Sequence, residues 1–191
     1  LSLLRETLEV DPGARSGPVA FEDVRVPDSR LGEAMRSRLE QAVGADHVSQ
    51  ERRARILHAA GKSYPDLVRL RSGDASSAPD AVVAPGSAAE VQTVLSRCAE
   101  ARVAVVPFGG GTSVVGGVEP VRDGFAGTLS LDLHRLDDLD GIDGISLTAS
   151  FGAGLLGPEA ERRLAREGLT LGHLPQSFEY STVGGWVATR S

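Results

Sequence analysis

Pro107-Phe-Gly-Gly-Gly-Thr-Ser-Val114 follows directly on the apolar stretch Val103 to Val106, which reads as a β-strand. Three consecutive glycines reach backbone conformations closed to other residues, so successive N–H groups can converge on one point, and the missing Cβ atoms leave room for a ligand beside the main chain. Such a loop suits a diphosphate. It is neither of the two familiar phosphate loops. Val114 stands where a Walker A motif needs Lys and Ser/Thr to follow glycine, and it also fills the third glycine position of a Gly-x-Gly-x-x-Gly run counted from Gly109. Taken alone, the run is equally a flexible turn.

Working outward, Ala81 to Ala84 reads as a short strand, and Ser87 with Glu90 forms a capping box that opens a helix with Val91, Val94, Leu95 and Cys98 on one face. Cys98 is therefore read as core. The chain then returns through Val103 to Val106 near the first strand, a βαβ unit with the glycines at its carboxyl end, where ligands of such sheets gather. On the other side, Thr128 to Leu133 alternates, with Leu129, Leu131 and Leu133 on one face, as a half-buried strand does. Asp137 to Gly144 reads as an acidic turn. Its four aspartates lack the spacing and closing glutamate of a helix-loop-helix calcium site, and no metal is expected. Ile145 to Phe151 reads as a strand, and a helix starts at Gly157-Pro158 and ends at Gly168.

The last twenty residues, Gly172 to Ser191, concentrate glycines, hydroxyls, an arginine and the only tryptophan. Ser181, Thr182, Thr189 and Ser191 supply hydroxyls, Gly184 and Gly185 close backbone approach, and Arg190 a charge for phosphate. This reads as a second ligand-contact segment. His173 and Glu179 are read as structural, not as an acid/base pair.

Towards the N-terminus, Leu31, Met35, Leu39 and Val43 recur at helical spacing before Gly44, and a second helix is expected over Ser49 to Ala60 with His58 packed or solvated. Another short helix or turn begins at Tyr64-Pro-Asp-Leu. Residues 1–30 read as an irregular arm, and the polar stretch Ser72 to Ala78 as a linker. This divides the chain into a helical extension, residues 1–75, and a domain over residues 76–191. A net charge of −6 excludes the basic footprint of a nucleic-acid or anionic-membrane binder. One cysteine forms no internal disulfide, and the first residues lack the pattern of a signal peptide, so a reducing, cytoplasmic setting is expected.

Pro79-Asp80 and the helix behind it, Pro107 to Ser113, and above all Pro175-Gln-Ser-Phe-Glu-Tyr-Ser-Thr-Val-Gly-Gly-Trp-Val-Ala-Thr-Arg-Ser191 together resemble the FAD-binding domain (PCMH type) of the vanillyl-alcohol-oxidase superfamily. Within it the alkylglycerone-phosphate synthase family is the nearest likeness, over about residues 56 to 191. Hydroxy-acid dehydrogenase relatives are expected to carry asparagine after the paired glycines, where Trp186 stands.

The resemblance implies an α+β fold of two α/β subdomains, here incomplete, behind a helical extension. It implies that Pro107, Phe108, Gly109, Gly110, Gly111, Thr112 and Ser113 wrap the FAD diphosphate. Gln176, Ser177, Phe178, Glu179, Tyr180, Ser181 and Thr182 would follow the ribityl and isoalloxazine side. Gly184, Gly185, Thr189, Arg190 and Ser191 would make further contacts. Relatives that tether FAD commonly use a histidine beside the glycine loop; none lies between Leu95 and Leu133, so the flavin is expected to be held non-covalently.

The family's FAD domain runs on past the Thr189-Arg190-Ser191 position, and a C-terminal cap domain carries the groups that act on substrate. No catalytic residue is thus assigned here, and this stretch alone is expected to be inactive. The family reaction exchanges the acyl chain of an acylated dihydroxyacetone phosphate for a long-chain alcohol, an ether-lipid precursor synthesis without net redox change, with a homodimer expected of the whole protein. Two alternatives remain: an FAD-linked oxidase or dehydrogenase of a small hydroxy acid, and a truncated, non-catalytic FAD-binding module.

Overall fold

The valines ahead of the glycine loop extend through Phe108 as an edge strand of a four-stranded sheet in the computed structural model, which describes residues 17–191. The first part of the expected arm, with Asp11-Pro-Gly, lies outside the described residues. The elements in chain order are α1 (Glu33–Val43), β1 (Val48–Ser49), α2 (Arg52–Leu57), α3 (Tyr64–Arg71), β2 (Ala81–Val83), α4 (Ala88–Glu100), β3 (Val103–Phe108) and β4 (Gly127–Asp132). A hairpin of β5 (Leu139–Asp143) and β6 (Thr148–Phe151) follows, then α5 (Gly157–Ala165) and α6 (Val183–Thr189). The fold is a mixed α+β arrangement.

The sheet order is β1-β2-β4-β3. β2 and β3 are parallel, but they do not touch: β4 lies between them and is parallel to both. The expected βαβ unit is present, with β3 returning near β2 and β4 filling the one strand position left between them. β4 is also buried on both faces, not half-buried. Leu129 and Leu131 meet α1 and α4 across a core that includes Leu39, Val83, Val94 and Cys98. Thr128 and Ser130, on the opposite face, are equally shielded. The alternation reads as a solvent face only because the residues there are polar.

Ser87 caps α4 by accepting from the N–H of Glu90, but the glutamate reaches back one residue further than a capping box does, to Gly86 N–H at 2.7 Å. Along α4, Val94 and Cys98 enter the core while Leu95 turns outward. Burial pushes the Cys98 thiol up to about 11. α2 is shorter than expected, because Val48 and Ser49 pair with β2 as the added strand β1 and His58 closes the helix at its C-terminal end. Ser63 and Asp66 make a complete capping box at α3. The acidic stretch after β4 is strand β5 instead of a turn; a register shift between Asp140 and Ile142 lets it pair with β6, and Ile145 projects from the hairpin tip.

The polar stretch 72–78 is not a free linker. Ala75 and Ala78 are fully buried with Ala59 in a second cluster joined by Val24, Val26, Ile56 and Leu70, and Arg25 exchanges backbone hydrogen bonds with Gly73 and Ala75. Residues on both sides of the 75/76 division therefore share one sheet and one core. Asp80, fully buried at the entrance of β2, accepts from Arg30 N–H (2.9 Å) and Thr128 N–H (2.7 Å) and pairs with the guanidinium groups of Arg122 (3.1 Å) and Arg30 (3.4 Å).

Removing one member of a buried, hydrogen-bonded charge cluster leaves its partners uncompensated, so Asp80→Ala is expected to cost about 3 to 5 kcal/mol of stability. Chemical denaturation measures it; an unchanged midpoint contradicts the role. Cys98 is expected to resist aromatic disulfide reagents at about pH 8 until the chain is denatured, since the reactive species is the thiolate. Labelling of the native chain at the denatured rate would show that the thiol is not enclosed.

Candidate functional site

β3 and β4 end side by side, with Phe108 paired to Asp132, and the glycine loop leaves the sheet at this carboxyl edge. Among the described residues, no acceptor meets the backbone N–H of Gly109, Gly110, Gly111, Thr112, Ser113 or Val114. Only Gly111 among them is buried and Val114 is exposed, so the row of donors lies open on one side. The loop is nonetheless held at its far end. Lys62 N–H donates to the Ser113 carbonyl at 2.7 Å, and Ser113 Oγ accepts from Gly117 N–H at 3.0 Å. Arg69 of α3 pairs with Glu119 at 2.5 Å and Asp66 at 3.0 Å.

The glycines also allow close packing within the chain. A Cβ on Gly110 would overlap the carbonyl oxygen of Tyr180, one on Gly109 would meet the Thr182 side chain, and one on Gly111 would meet the Phe108 ring. The missing Cβ atoms thus let the loop lie against the 176–182 segment and against its own strand. Gly111 also takes a positive φ of 66°.

The second segment folds back onto the rest of the chain. Ser177 O accepts from the N–H groups of both Tyr180 (2.9 Å) and Ser181 (2.8 Å), and Leu156 bridges Thr182. Val183 N–H and Gly184 N–H donate to Leu155 O and Ala153 O, each at 2.9 Å. The hydroxyls of Ser181 and Thr182 each accept one hydrogen bond and keep their O–H donors: Ser181 Oγ accepts from the Trp186 indole at 2.7 Å, and Thr182 Oγ1 caps α6 by accepting from Gly185 N–H at 3.2 Å. Trp186 is buried against Phe178, with ring centroids 6.2 Å apart, and His173 meets it edge-on at 5.2 Å.

Pro107, Gln176, Ser177, Glu179 and Tyr180 are exposed, and Thr112, Ser113 and Phe178 half-buried. Thr189, Arg190 and Ser191 close the end of α6. Thr189 Oγ1 donates to Gly185 O at 2.9 Å and Arg190 adopts a left-handed conformation there. Among the described residues no hydrogen bond ties these three to the glycine loop, whereas Gly109, Gly110, Tyr180 and Thr182 are brought together. His173 and Glu179 form no hydrogen bond or ion pair with each other among the described residues.

Sequence reasoning missed the floor beneath the loop. His58, packed as expected, stacks on Phe108 at 4.2 Å, while its Nε2 lies 2.9 Å from Asp132 Oδ2 and its Nδ1 2.8 Å from the Ala54 carbonyl. Burial of Asp132 favours its neutral form, but hydrogen bonds from His58 and from the His134 N–H and ring hold its carboxyl below the usual range. The available signal was positional: Asp132 ends the strand beside the glycine loop, at the ligand edge of the sheet.

The FAD binding domain family matches residues 79–191, and the chain belongs to it. FAD is therefore its cofactor, and the row of free N–H groups at the sheet's carboxyl edge fits a diphosphate. The alkyldihydroxyacetonephosphate synthase of Dictyostelium discoideum is 41% identical over 146 residues, 76% of this chain and 24% of that protein. A solved alkyldihydroxyacetonephosphate synthase structure superposes with a TM-score of 0.85 at 33% identity, covering 97% of this chain and 35% of its own. Glycolate oxidase subunit GlcD of Bacillus subtilis is 36% identical over 109 residues, 57% of this chain and 22% of that protein. The chain thus spans about a quarter to a third of the length of these relatives.

Gly110→Ala is expected to force the loop off the Tyr180 carbonyl at a cost of about 1 to 3 kcal/mol, the range of an overpacked site. Gly144→Ala, which meets open space, is the neutral control. Equal denaturation midpoints for the two variants would show that the loop and the second segment do not lock together.

Proposed function

We infer that the chain is the cofactor-holding part of a flavoenzyme of the alkyldihydroxyacetonephosphate synthase type, which exchanges an acyl for an alkyl chain on dihydroxyacetone phosphate in ether-lipid synthesis. The observation that carries the cofactor half is the run of six unpartnered N–H groups from Gly109 to Val114. A diphosphate presents oxygen acceptors to such a row, and hydrogen bonds to charged acceptors are about twice as strong as neutral ones. The backbone of Gly109 to Val114 grips the phosphates, and the exposed residues Gln176, Ser177, Glu179 and Tyr180 border the ribityl and ring side. The flavin, when bound, supplies the reactive group; this stretch of protein binds and orients it. The substrate, and the residues that act on it, belong to parts that the synthases have beyond the region matched here.

The reading is favoured over a hydroxy-acid oxidase by Trp186, whose buried ring and hydrogen bond to Ser181 shape the second segment where a hydroxy-acid dehydrogenase was expected to carry asparagine. The cofactor is held without a covalent bond, since no nucleophilic side chain stands in the loop itself other than the hydroxyls of Thr112 and Ser113.

Equilibrium dialysis is expected to show FAD retained over FMN, because FMN lacks the diphosphate, and acid precipitation to leave the colour in the supernatant. Equal retention of the two flavins would remove the diphosphate from the loop, and colour in the pellet would establish a covalent link.

A further inference from the structure

We propose that Lys62, which precedes the stretch matched by the FAD binding domain family, supplies the positive charge for the cofactor's diphosphate at the far end of the glycine loop; this rests on the reading of Gly109 to Val114 as the diphosphate site. The placement comes from the backbone. Lys62 N–H donates to the Ser113 carbonyl at 2.7 Å, so the main chain of the lysine touches the end of the row of donors. Gly61 makes that approach possible, because it is buried and a Cβ on it would overlap the Ser113 carbonyl oxygen. On the other side of Lys62 the chain is fixed by the start of α3, where Ser63 Oγ donates to Asp66 Oδ2 at 2.7 Å and accepts from Asp66 N–H at 3.2 Å. Lys62 is thus held between a glycine pressed on the loop and a capped helix, with its side chain exposed.

The charge of this lysine is uncommitted. Among the described residues its ammonium forms no ion pair and no side-chain hydrogen bond, although carboxylates stand on both neighbouring segments. Arg69 of α3 takes them, Asp66 at 3.0 Å and Glu119 at 2.5 Å. Arg122, on the loop's return, is engaged by Asp80 at 3.1 Å. Arg190 sits at the end of α6, and among the described residues no hydrogen bond ties it to the loop. Each phosphate of a cofactor diphosphate carries a negative charge, whereas the row of N–H groups offers donors without net charge. Lysine suits the missing part: a compact charge on a flexible four-carbon stem, whose three donors find phosphate oxygens without a fixed fork geometry.

This gives Lys62 a role that packing does not. The bond to Ser113 is made by its backbone, and every residue except proline keeps that donor. What the side chain adds is charge, so its contribution follows charge and ionic strength. The cofactor site then extends back across the α2–α3 junction, to residues that precede the matched domain.

The test is titration of the full chain with FAD and with riboflavin, which has no phosphate, followed by flavin fluorescence anisotropy. It is run at about 0.01 M and about 1 M salt, between which the screening length falls from about 30 Å to about 3 Å. The variants are Lys62→Met, Lys62→Arg and Lys62→Glu, and thermal unfolding in parallel is expected to give wild-type midpoints for all three. At low salt Lys62→Met is expected to bind FAD about tenfold more weakly than wild type, the loss of one hydrogen bond to a charged acceptor. Lys62→Glu should bind more weakly still, and Lys62→Arg should restore wild-type affinity. At high salt the variants should converge, and riboflavin should bind all of them alike. A Lys62→Met variant that binds FAD as tightly as wild type at low salt overturns the proposal while leaving the diphosphate site standing. So does a loss that salt does not shrink, that arginine does not rescue, or that riboflavin shares. A wild type that binds FAD no more tightly than riboflavin overturns the diphosphate reading and the part of Lys62 together.

Discussion

A carboxylate with no access to solvent organises this molecule. Asp80 gathers a backbone N–H from the N-terminal arm, another from the first turn of β4 and two guanidinium groups, Arg30 from the arm and Arg122 from the return of the glycine loop. Each guanidinium then reaches further: Arg122 Nη1 to Ala78 O at 2.6 Å, and Arg30 Nη1 to Arg122 O at 2.9 Å. Burying a charge is costly unless it is paired and fully hydrogen-bonded, and Asp80 meets that condition by recruiting pieces of chain that have no other reason to meet. The arm, the entrance of the central strands and the loop's return are thereby fixed relative to one another. The row of N–H groups at the other end of β3 has a defined direction because its strand and its return are both anchored.

This accounts for what could be read from the residues and what could not. The glycine loop, its position at the carboxyl end of a strand and the second segment were legible, since Gly109 to Gly111 and Gly184-Gly185 announce unusual backbone demands. So was the burial of Cys98, which follows from helical periodicity. Asp80 was legible only as part of a motif. Its partners Arg30 and Arg122 lie 50 and 42 positions away, and local pattern carries no information across such separations. The same holds for His58 and Asp132, whose separation is 74.

The polar face of β4 shows a second reason for the misses. Alternation distinguishes apolar from polar side chains, not buried from exposed ones. Thr128 and Asp132 are polar and enclosed, each with a partner supplied from elsewhere: Val121 O for the Thr128 hydroxyl and His58 for Asp132. The linker reading failed for a related reason. Small residues such as Ala75 and Ala78 look like spacer in a sequence, yet they are what allows two backbones to pack closely. Likewise the sequence shows that Gly110 makes room for something, but not that a neighbour it makes room for is the Tyr180 carbonyl.

The position of β4 between β2 and β3 also orders the birth of the fold. As the chain leaves the ribosome, β2, α4 and β3 emerge before β4; β2 can pair with β1 on one side, but β2 and β3 have no ladder to make with each other and both wait for Gly127 to Asp132. Until then each presents an unpaired edge to its surroundings, and the glycine loop, already synthesised, still lacks the 176–182 segment it packs against. Pairings made late between distant segments are slow and leave strand edges open to foreign partners.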